Sequence, residues 1–145
     1  ASPDALLFGK QDARSVSTTL RVNYTFTPRL SLQFYSQLFL AAEHYPAFMS
    51  YLVQPGQPRP RIRLENLVPA APPSDNPDTE LTSLQINTVL RWELLPGSTL
   101  FLVFTRSHAP ERVLAPGERA GLTPSVLRTG PGLDELLLKF VYWLG

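Results

Sequence analysis

Few residues in this sequence have the types and spacing that chemistry requires. His44 and His108 stand apart, and neither has the neighbouring ligands of a zinc site. Asp75, Asp78 and Glu80 lie close together and offer oxygen ligands to Ca²⁺, but their spacing is not that of an EF-hand loop. We therefore interpret them as a solvated acidic loop, and the sequence predicts no metal site and no cofactor.

A hydrolytic site is equally poorly supported. Ser107 and His108 are adjacent, and Glu111 follows them closely, which superficially resembles a catalytic set. Adjacent residues of a strand point to opposite faces, so this serine and histidine cannot act on one substrate from a strand. No glycine-rich phosphate loop or nucleotide fingerprint occurs. The sequence thus predicts a protein that is not an enzyme.

The clearest basic group is Arg59, Arg61 and Arg63, which alternate with Pro60 and Ile62. On an external loop these guanidinium groups would suit the phosphates of lipopolysaccharide. A solvated basic loop explains the same residues without a ligand, and both interpretations stay open. The net charge is +1, which gives no electrostatic case for nucleic acid. The chain has no cysteine, which excludes disulfides and thiolate sites.

A two-residue alternation organises the remaining sequence. In residues 14–26, Val16, Leu20 and Val22 share one parity, whereas Arg21 and Asn23 share the other. Successive side chains of a strand point to opposite faces, so the pattern predicts a long strand with one apolar and one polar face. At the period of a helix, the same apolar residues would scatter around the axis.

Four further segments repeat the pattern. The predicted strands are 14–26, 30–42, 81–94, 99–107 and 133–144, and residues 5–8 are interpreted as the end of an earlier strand. The last segment is rich in leucine and is also compatible with a helix. Short turns at 27–29 and 95–98 alternate with long connections at 43–80 and 108–132, which contain most of the 15 prolines.

Strand length and loop alternation favour a membrane protein. Strands of soluble proteins have about 5–6 residues, whereas a tilted membrane strand needs about 9–11. Outer-membrane barrels alternate short periplasmic turns with longer external loops. Aromatic residues near the short turns and the end of the chain would then form an interfacial girdle at one membrane edge: Tyr24, Phe26, Trp92, Tyr142 and Trp143.

The alternation assigns each side chain to one of two environments. Residues predicted to face lipid are Val16, Leu20, Val22, Leu32, Phe34, Leu38, Leu84, Ile86, Leu90, Leu138 and Phe140. Residues predicted to face the barrel lumen are Arg21, Asn23, Gln33, Gln37, Gln85, Asn87, Arg91, Glu93 and Lys139. A lumen of this kind holds water, a plug or a polar solute, but its charges also suffice to pair with one another across strands, with Arg21 and Lys139 facing Glu93 or Glu135.

Five strands cannot close around a filled interior, because about eight are needed. An open edge in lipid leaves unpaired backbone groups, each costing several kcal/mol. We therefore expect further strands, either upstream in the same gene product or from other chains. The chain as a whole, residues 1–145, is predicted to be all-β: an antiparallel meander of long strands that forms a C-terminal segment of a transmembrane β-barrel.

Two stretches and the last segment resemble a known family. The segments LRVNYTFTPRLSLQFYSQLFL (20–40) and LQINTVLRWELLPGSTLFLVFTRS (84–107), followed by LLLKFVYWLG (136–145), are similar to the C-terminal part of a bacterial outer-membrane family. Its members join an N-terminal carbohydrate-binding-type sandwich to a large barrel. The resemblance implies an architecture and a location more than an activity. The chain departs from the pattern by ending in Trp-Leu-Gly instead of an aromatic residue.

Three functions follow as hypotheses. The first is a segment or subunit of an outer-membrane barrel in a Gram-negative bacterium, with a role in transport, as a pore, or as a membrane anchor. The second is a structural subunit of a larger envelope assembly. The third is a soluble all-β binding module, in which the same apolar stripes would line a core.

Overall fold

The structure is a computed structural model that describes residues 5–53, 61–112 and 114–143, without the side chain of Glu111. Five long strands dominate: β1 (Ala5–Thr27), β2 (Leu30–Leu52), β4 (Thr79–Leu95), β5 (Ser98–His108) and β7 (Gly132–Val141), with short strands β3 (Val68–Ala70) and β6 (Glu111–Arg112) between them. Single 3-10 turns span Leu64–Asn66 and Pro124–Arg128. The described residues include no helix long and apolar enough to cross a membrane.

The long strands form one antiparallel sheet in the order β1-β2-β4-β5-β7. Each therefore pairs with the long strand before it in the chain, which confirms the predicted antiparallel meander. The two short strands add to the loop end of the sheet, where β3 pairs with β2 and β6 pairs with β4. Within the described part of the chain, β1 and β7 each have one unpaired edge, so the sheet is open.

The two short turns lie at one end of the sheet. Gly97 has a positive φ of 80°, which the predicted Pro-Gly turn requires at this position. The backbone N–H of Glu93 donates to the carbonyl of Arg29 at 2.8 Å, which ties the second hairpin to the first turn. The long connections therefore share the opposite end, which we call the loop end.

The strand boundaries correct the sequence prediction in three places. Residues 5–8 belong to β1 itself and not to an earlier strand. Residues 43–52, predicted as loop, continue β2. A register shift allows this continuation, because Tyr45 and Pro46 stand together between the pairs Lys10–Ala47 and Asp12–His44, and such a bulge accommodates a proline that lacks an N–H. The leucine-rich last segment is a strand, which ends at Val141 and not at 144.

The register keeps one parity on each face across all five long strands. Directly opposed residues share a face, and even residues pair throughout: Val22 with Phe34, Phe34 with Thr88, Thr88 with Phe104, and Phe104 with Leu136. In residues 12–26 of β1, 30–44 of β2, β4, β5 and β7, the even-numbered residues therefore form one face, which we call the apolar face; beyond the bulge, at residues 47–52 of β2, the parity is reversed. The odd-numbered residues form the other, which we call the polar face.

The sheet is a single layer with very little core. The buried apolar residues of the described chain are Leu40, Ala42, Leu114 and Val126, all at or near the loop end. There the connections fold back over the last rows of the sheet. No second sheet or helix layer covers the middle of either face in the described part of the chain. The long connections thus supply the little burial that the fold has.

Because the chain has no cysteine, engineered pairs test the register directly. Val89 lies opposite Val103 on β4 and β5, so the V89C/V103C variant should form a disulfide on mild oxidation. V89C/T105C, a diagonal pair, should not, because about 7–8 Å between its Cα atoms exceeds disulfide reach. Non-reducing mass spectrometry reads both outcomes. Equal cross-linking of the two variants would contradict the register.

Candidate functional site

The apolar face carries every residue that the sequence assigns to lipid. Leu20 is 54 % exposed on β1, and Leu138 is 66 % exposed on β7. Both residues lie on edge strands, whereas the apolar residues of this face on β2, β4 and β5 are half-buried between their neighbours. Monomeric soluble proteins rarely leave a contiguous apolar surface of this kind without a covering layer. The contiguous set comprises Val16, Leu20, Val22, Leu32, Phe34, Leu38, Leu84, Ile86, Leu90, Leu102, Phe104, Leu136, Leu138 and Phe140.

The loop-side limit of this apolar set runs obliquely across the sheet. It lies at the pair Val16–Leu40 on β1 and β2, but at the pair Phe104–Leu136 on β5 and β7. Phe104 pairs with Thr88 of β4, which in turn pairs with Phe34 of β2. Because Phe34 is six residues from Leu40, the limit shifts by about 20 Å along the strands between β1 and β7, which are four strand spacings of ~4.8 Å apart. The corresponding inclination is roughly 45°, close to the strand tilt of about 35–45° in membrane barrels.

The length of the apolar run fits the same geometry. On β1 it extends from Val16 to Phe26, which is roughly 33 Å at ~3.3 Å per residue. Inclined at roughly 45°, this run has a height of ~23 Å, close to the ~25 Å apolar band of outer-membrane barrels. β2 has a run of equal length, from Leu30 to Leu40, whereas the runs on β5 and β7 are shorter.

The predicted girdle residues gather at the turn end of the sheet. The rings of Tyr24 and Phe26 meet edge to face with centroids 4.8 Å apart, and Tyr142 lies 6.1 Å from the ring of Phe140. Trp92 is the register partner of Leu30, at the start of β2. Trp143 packs on the second turn so closely that a Cβ atom added to Gly97 would lie 3.0 Å from the Cβ atom of Trp143. All five aromatic residues therefore lie at the turn end of the sheet.

The polar face carries every residue that the sequence assigns to a lumen. Arg21 lies over the ring of Tyr35, 5.2 Å from its centroid, and the Tyr35 hydroxyl donates to Gln37 at 2.8 Å. The Asn87 amide donates to the Thr105 hydroxyl at 3.2 Å. A shallow recess of about 150 Å³ opens here, and its polar lining comes from Arg21, Asn23, Gln33, Tyr35 and Asn87.

The charges of this face pair differently from the prediction. Arg91 lies 3.7 Å from Glu93 on the same strand. The register places Arg21 opposite Tyr35 and Lys139 opposite Phe101. For this reason, the ion pairs of the described residues include none between Arg21 or Lys139 and the predicted partners Glu93 and Glu135. The guanidinium of Arg21 therefore rests on an aromatic ring.

A second cluster lies at the loop end and centres on Asp78, whose side chain is only 4 % exposed. Its carboxylate accepts hydrogen bonds from the backbone N–H groups of Tyr45 (3.0 Å) and Ala120 (3.3 Å). His44 Nδ1 donates to the same carboxylate at 2.6 Å. One side chain thus joins the bulged part of β2 to the connection after β6.

Two opposing effects act on the pKa of Asp78. Burial alone would raise it, but the hydrogen bonds from Tyr45, His44 and Ala120, together with the charge of the His44 side chain, lower it below its ordinary value of 3.8. The hydrogen bonds prevail, so the carboxylate is ionised at neutral pH. An ionised carboxylate accepts only, which makes His44 Nδ1 the donor.

Neighbouring polar groups extend this connection between the two loops. Glu80, with a 4 % exposed side chain, accepts from the N–H of Gly121 at 2.6 Å and pairs with Arg112 at 3.0 Å. Arg112 also pairs with Glu118. The amide of Asn76 donates to the carbonyls of Ala115 and Glu118 at 2.7 and 2.9 Å. We call Asn76, Asp78, Glu80, Arg112 and Glu118 the loop network.

The residues considered for chemistry are dispersed. His108 is buried, and its Nε2 lies 3.1 Å from the carbonyl of Thr129, whereas Ser107 is on the polar face. Asp78 and Glu80, predicted as a solvated acidic loop, are instead largely buried acceptors. No group of three or more potential metal ligands occurs among the described residues. Arg63 lies 3.4 Å from Glu65, and Arg59 lies outside the described residues.

Sequence reasoning missed the loop network. Asp78 and Ala120 are 42 residues apart, and Asn76 and Glu118 are equally distant in the chain. No local pattern indicates such partners. The available signal is the sequence Asn76-Pro77-Asp78, which is typical of a structured turn and ends three residues before the predicted strand 81–94.

Comparison with known proteins identifies one relationship. The family described as a domain of unknown function, DUF5916, matches residues 1–144. No curated protein and no solved structure matches the chain.

Removing the charge of Asp78 should loosen both loops. D78N keeps the shape of the side chain but weakens its contacts to His44, Tyr45 and Ala120. We therefore expect faster amide hydrogen exchange, measured by mass spectrometry, around residue 45 of β2 and around residue 120. Because the pKa of Asp78 is lowered, its contribution is complete above about pH 3.8 and lost as pH falls below that value. Below about pH 3.8, amide exchange of the same two segments in the wild type, corrected for intrinsic rates, should therefore rise.

The matched control is Asp75, an exposed carboxylate in the same connection. At every pH, D75N should show the same amide exchange as the wild type. D78N should remove the acid-dependent step that the wild type shows. If D78N and wild type lose protection in parallel on acidification, Asp78 does not hold the loops.

Proposed function

This chain belongs to the DUF5916 family, and from that premise we propose that its sheet is part of the wall of a transmembrane β-barrel in a bacterial outer membrane. The observation that carries the proposal is the contiguous apolar face of a single-layer sheet, exposed on β1 and β7 and half-buried on the strands between them, and limited by a line inclined at roughly 45° to the register rows. A face of this extent needs an apolar medium, and lipid is the one that fits an oblique band about 23 Å high.

Three further observations support this function. The five aromatic residues at the turn end match an interfacial girdle. The short turns at one end and the long connections at the other match periplasmic turns and external loops. The polar face, with its amides and the Arg21–Tyr35 contact, suits a lumen filled with water. The resemblance of residues 20–40 and 84–107 to an outer-membrane barrel family agrees with all three.

The proposed role is transport of a polar solute, as a pore, or anchoring in the membrane, and not catalysis. Its partners are membrane lipid and further barrel strands. The unpaired edges of β1 and β7 need those strands, because unpaired backbone groups are costly in lipid. They come from the same gene product or from other chains. The second case is the envelope-assembly hypothesis, which cross-linking of the complete gene product distinguishes by its partners.

A soluble binding module explains the observations less well. Such a module buries its apolar face beneath a second sheet about 10 Å away. In the described part of this chain, the connections cover only the loop end, where Leu40 and Ala42 are buried, and Leu20, Leu136 and Phe140 stay exposed. The module would therefore need a second layer that this part of the chain does not contain.

Two measurements test the proposal. The complete gene product should sediment with outer membranes on cell fractionation and should require detergent for extraction. Recovery as a soluble monomer without detergent would contradict a membrane role.

Substitutions on the two faces should differ in cost. Leu90 lies mid-band on the apolar face, so L90R should lower the free energy of unfolding in lipid vesicles by about 2–4 kcal/mol, whereas V16R at the limit of the band should cost about 0–1 kcal/mol. V89R, at the same level as Leu90 but on the polar face, is the matched control and should be close to neutral. Urea titration of the complete gene product measures all three. Equal costs for L90R and V16R would contradict a depth-dependent lipid environment.

A further inference from the structure

A cavity at the loop end lies between the apolar face and the connection that follows β6. It has a volume of about 400 Å³. One wall is formed by the sheet residues Asp12, Arg14, Ala42 and His44, and the other by residues 119–122. All four sheet residues are even-numbered members of the apolar face. The cavity therefore opens on the side of the sheet that carries the apolar band.

The cavity sits directly beyond the limit of that band. The pair Arg14–Ala42 follows the pair Val16–Leu40 by one step on the same face, which is about 6.6 Å along the strands. Leu122 adds an apolar contribution to the lining. The polar cavity and the apolar band thus adjoin each other. This arrangement suits an amphiphilic ligand, whose polar end would enter the cavity while its apolar end lies on the band.

The far wall of the cavity is held by buried carboxylates. Asp78 accepts from the N–H of Ala120, and Glu80 accepts from the N–H of Gly121. Asp78 also binds Nδ1 of His44, so a second residue of the cavity is oriented by the same carboxylate. The loop network thus builds the cavity from both sides.

The charges favour an anionic ligand. Arg14 and Arg119 line the cavity, and Arg119 has no ion-pair partner among the described residues. Asp12 opposes them, because its carboxylate lies 3.3 Å from the guanidinium of Arg14. A neighbouring cavity of about 280 Å³ also contains His44 and Arg119, but its lining includes three carboxylates, those of Asp75, Asp78 and Glu118, which disfavour an anion there.

We propose that the cavity between Arg14 and Arg119 binds the phosphate of an anionic lipid head group, with the acyl chains lying on the apolar band beside the exposed Val16. The two guanidinium groups hold the phosphate, since Arg forks match phosphate oxygens. His44 Nε2, the ring nitrogen not used by Asp78, faces the hydroxyl groups of the head. This inference rests on the proposed membrane location, because only there do lipid head groups lie at the edge of the apolar band.

Lipid retention by the complete gene product tests the site. The protein is purified in non-ionic detergent, mixed with phosphatidylglycerol or phosphatidylcholine, and analysed by native mass spectrometry. The wild type should retain phosphatidylglycerol in preference to phosphatidylcholine. R119Q should lower phosphatidylglycerol retention about tenfold, as expected for the loss of one charge-assisted hydrogen bond.

Two variants serve as controls of opposite kind. R128Q removes an exposed arginine of the same connection outside the cavity and should leave retention unchanged. D12N removes the opposing carboxylate and should raise retention. If R119Q and R128Q lower retention equally, or if D12N has no effect while R119Q matches the wild type, the site is overturned.

Inorganic phosphate provides the last comparison. Binding of free phosphate that depends on Arg119, without Arg119-dependent lipid retention, would place a free-anion site here and overturn the lipid assignment. Failure of this inference is distinct from failure of the proposed function. A protein that sediments with outer membranes but shows no Arg119-dependent retention contradicts the head-group site alone.

Discussion

Antiparallel pairing in a constant register across the middle of five long strands is the constraint on which the rest of the structure depends. Between the register shifts near the strand ends, each strand residue opposes a partner of the same parity, so the side chains of even number stay on one face. A register slip of one residue on any strand would turn its leucines to the polar face and its glutamines and arginines to the apolar face. The apolar face, the polar face and the gathering of aromatic residues at the turn end all follow from this register.

A single layer of sheet cannot stabilise itself by burial. Soluble sheets hide one face against another layer, and most of their free energy of folding comes from that contact. Here the described chain hides little more than the last rows beneath its own connections. The proposed lipid environment resolves this imbalance, because hydrocarbon removes the apolar side chains from water while the ladder hydrogen bonds satisfy the backbone. The loop network then has a separate task, which is to hold irregular backbone at the end of the sheet.

The sequence predicted the regular part of the fold well, for a physical reason. Alternation is a local signal, and segments such as 14–26 and 81–94 display it over many residues, so strand identity, facing and the meander followed. The signal fails where the backbone departs from two-residue periodicity. The bulge at Tyr45 and Pro46 reverses the parity of β2, so alternation alone does not predict that the strand continues through residues 43–52. The contacts of Asp78 lie beyond any local pattern, because its partners come from two distant segments.

The oblique limit of the apolar face changes how positions on this sheet should be compared. In the proposed membrane, hydrogen-bonded neighbours would lie at different depths: Leu40 and Phe104 both mark the limit of the apolar band, although the register places Phe104 level with Phe34. Moving one strand over at constant depth therefore means moving on average one to two residues along the chain. Residues that form one ring around the proposed barrel would be offset by about one to two positions on each successive strand. Rims, belts and constrictions would therefore be identified by following this offset and not by following the hydrogen-bonded pairs.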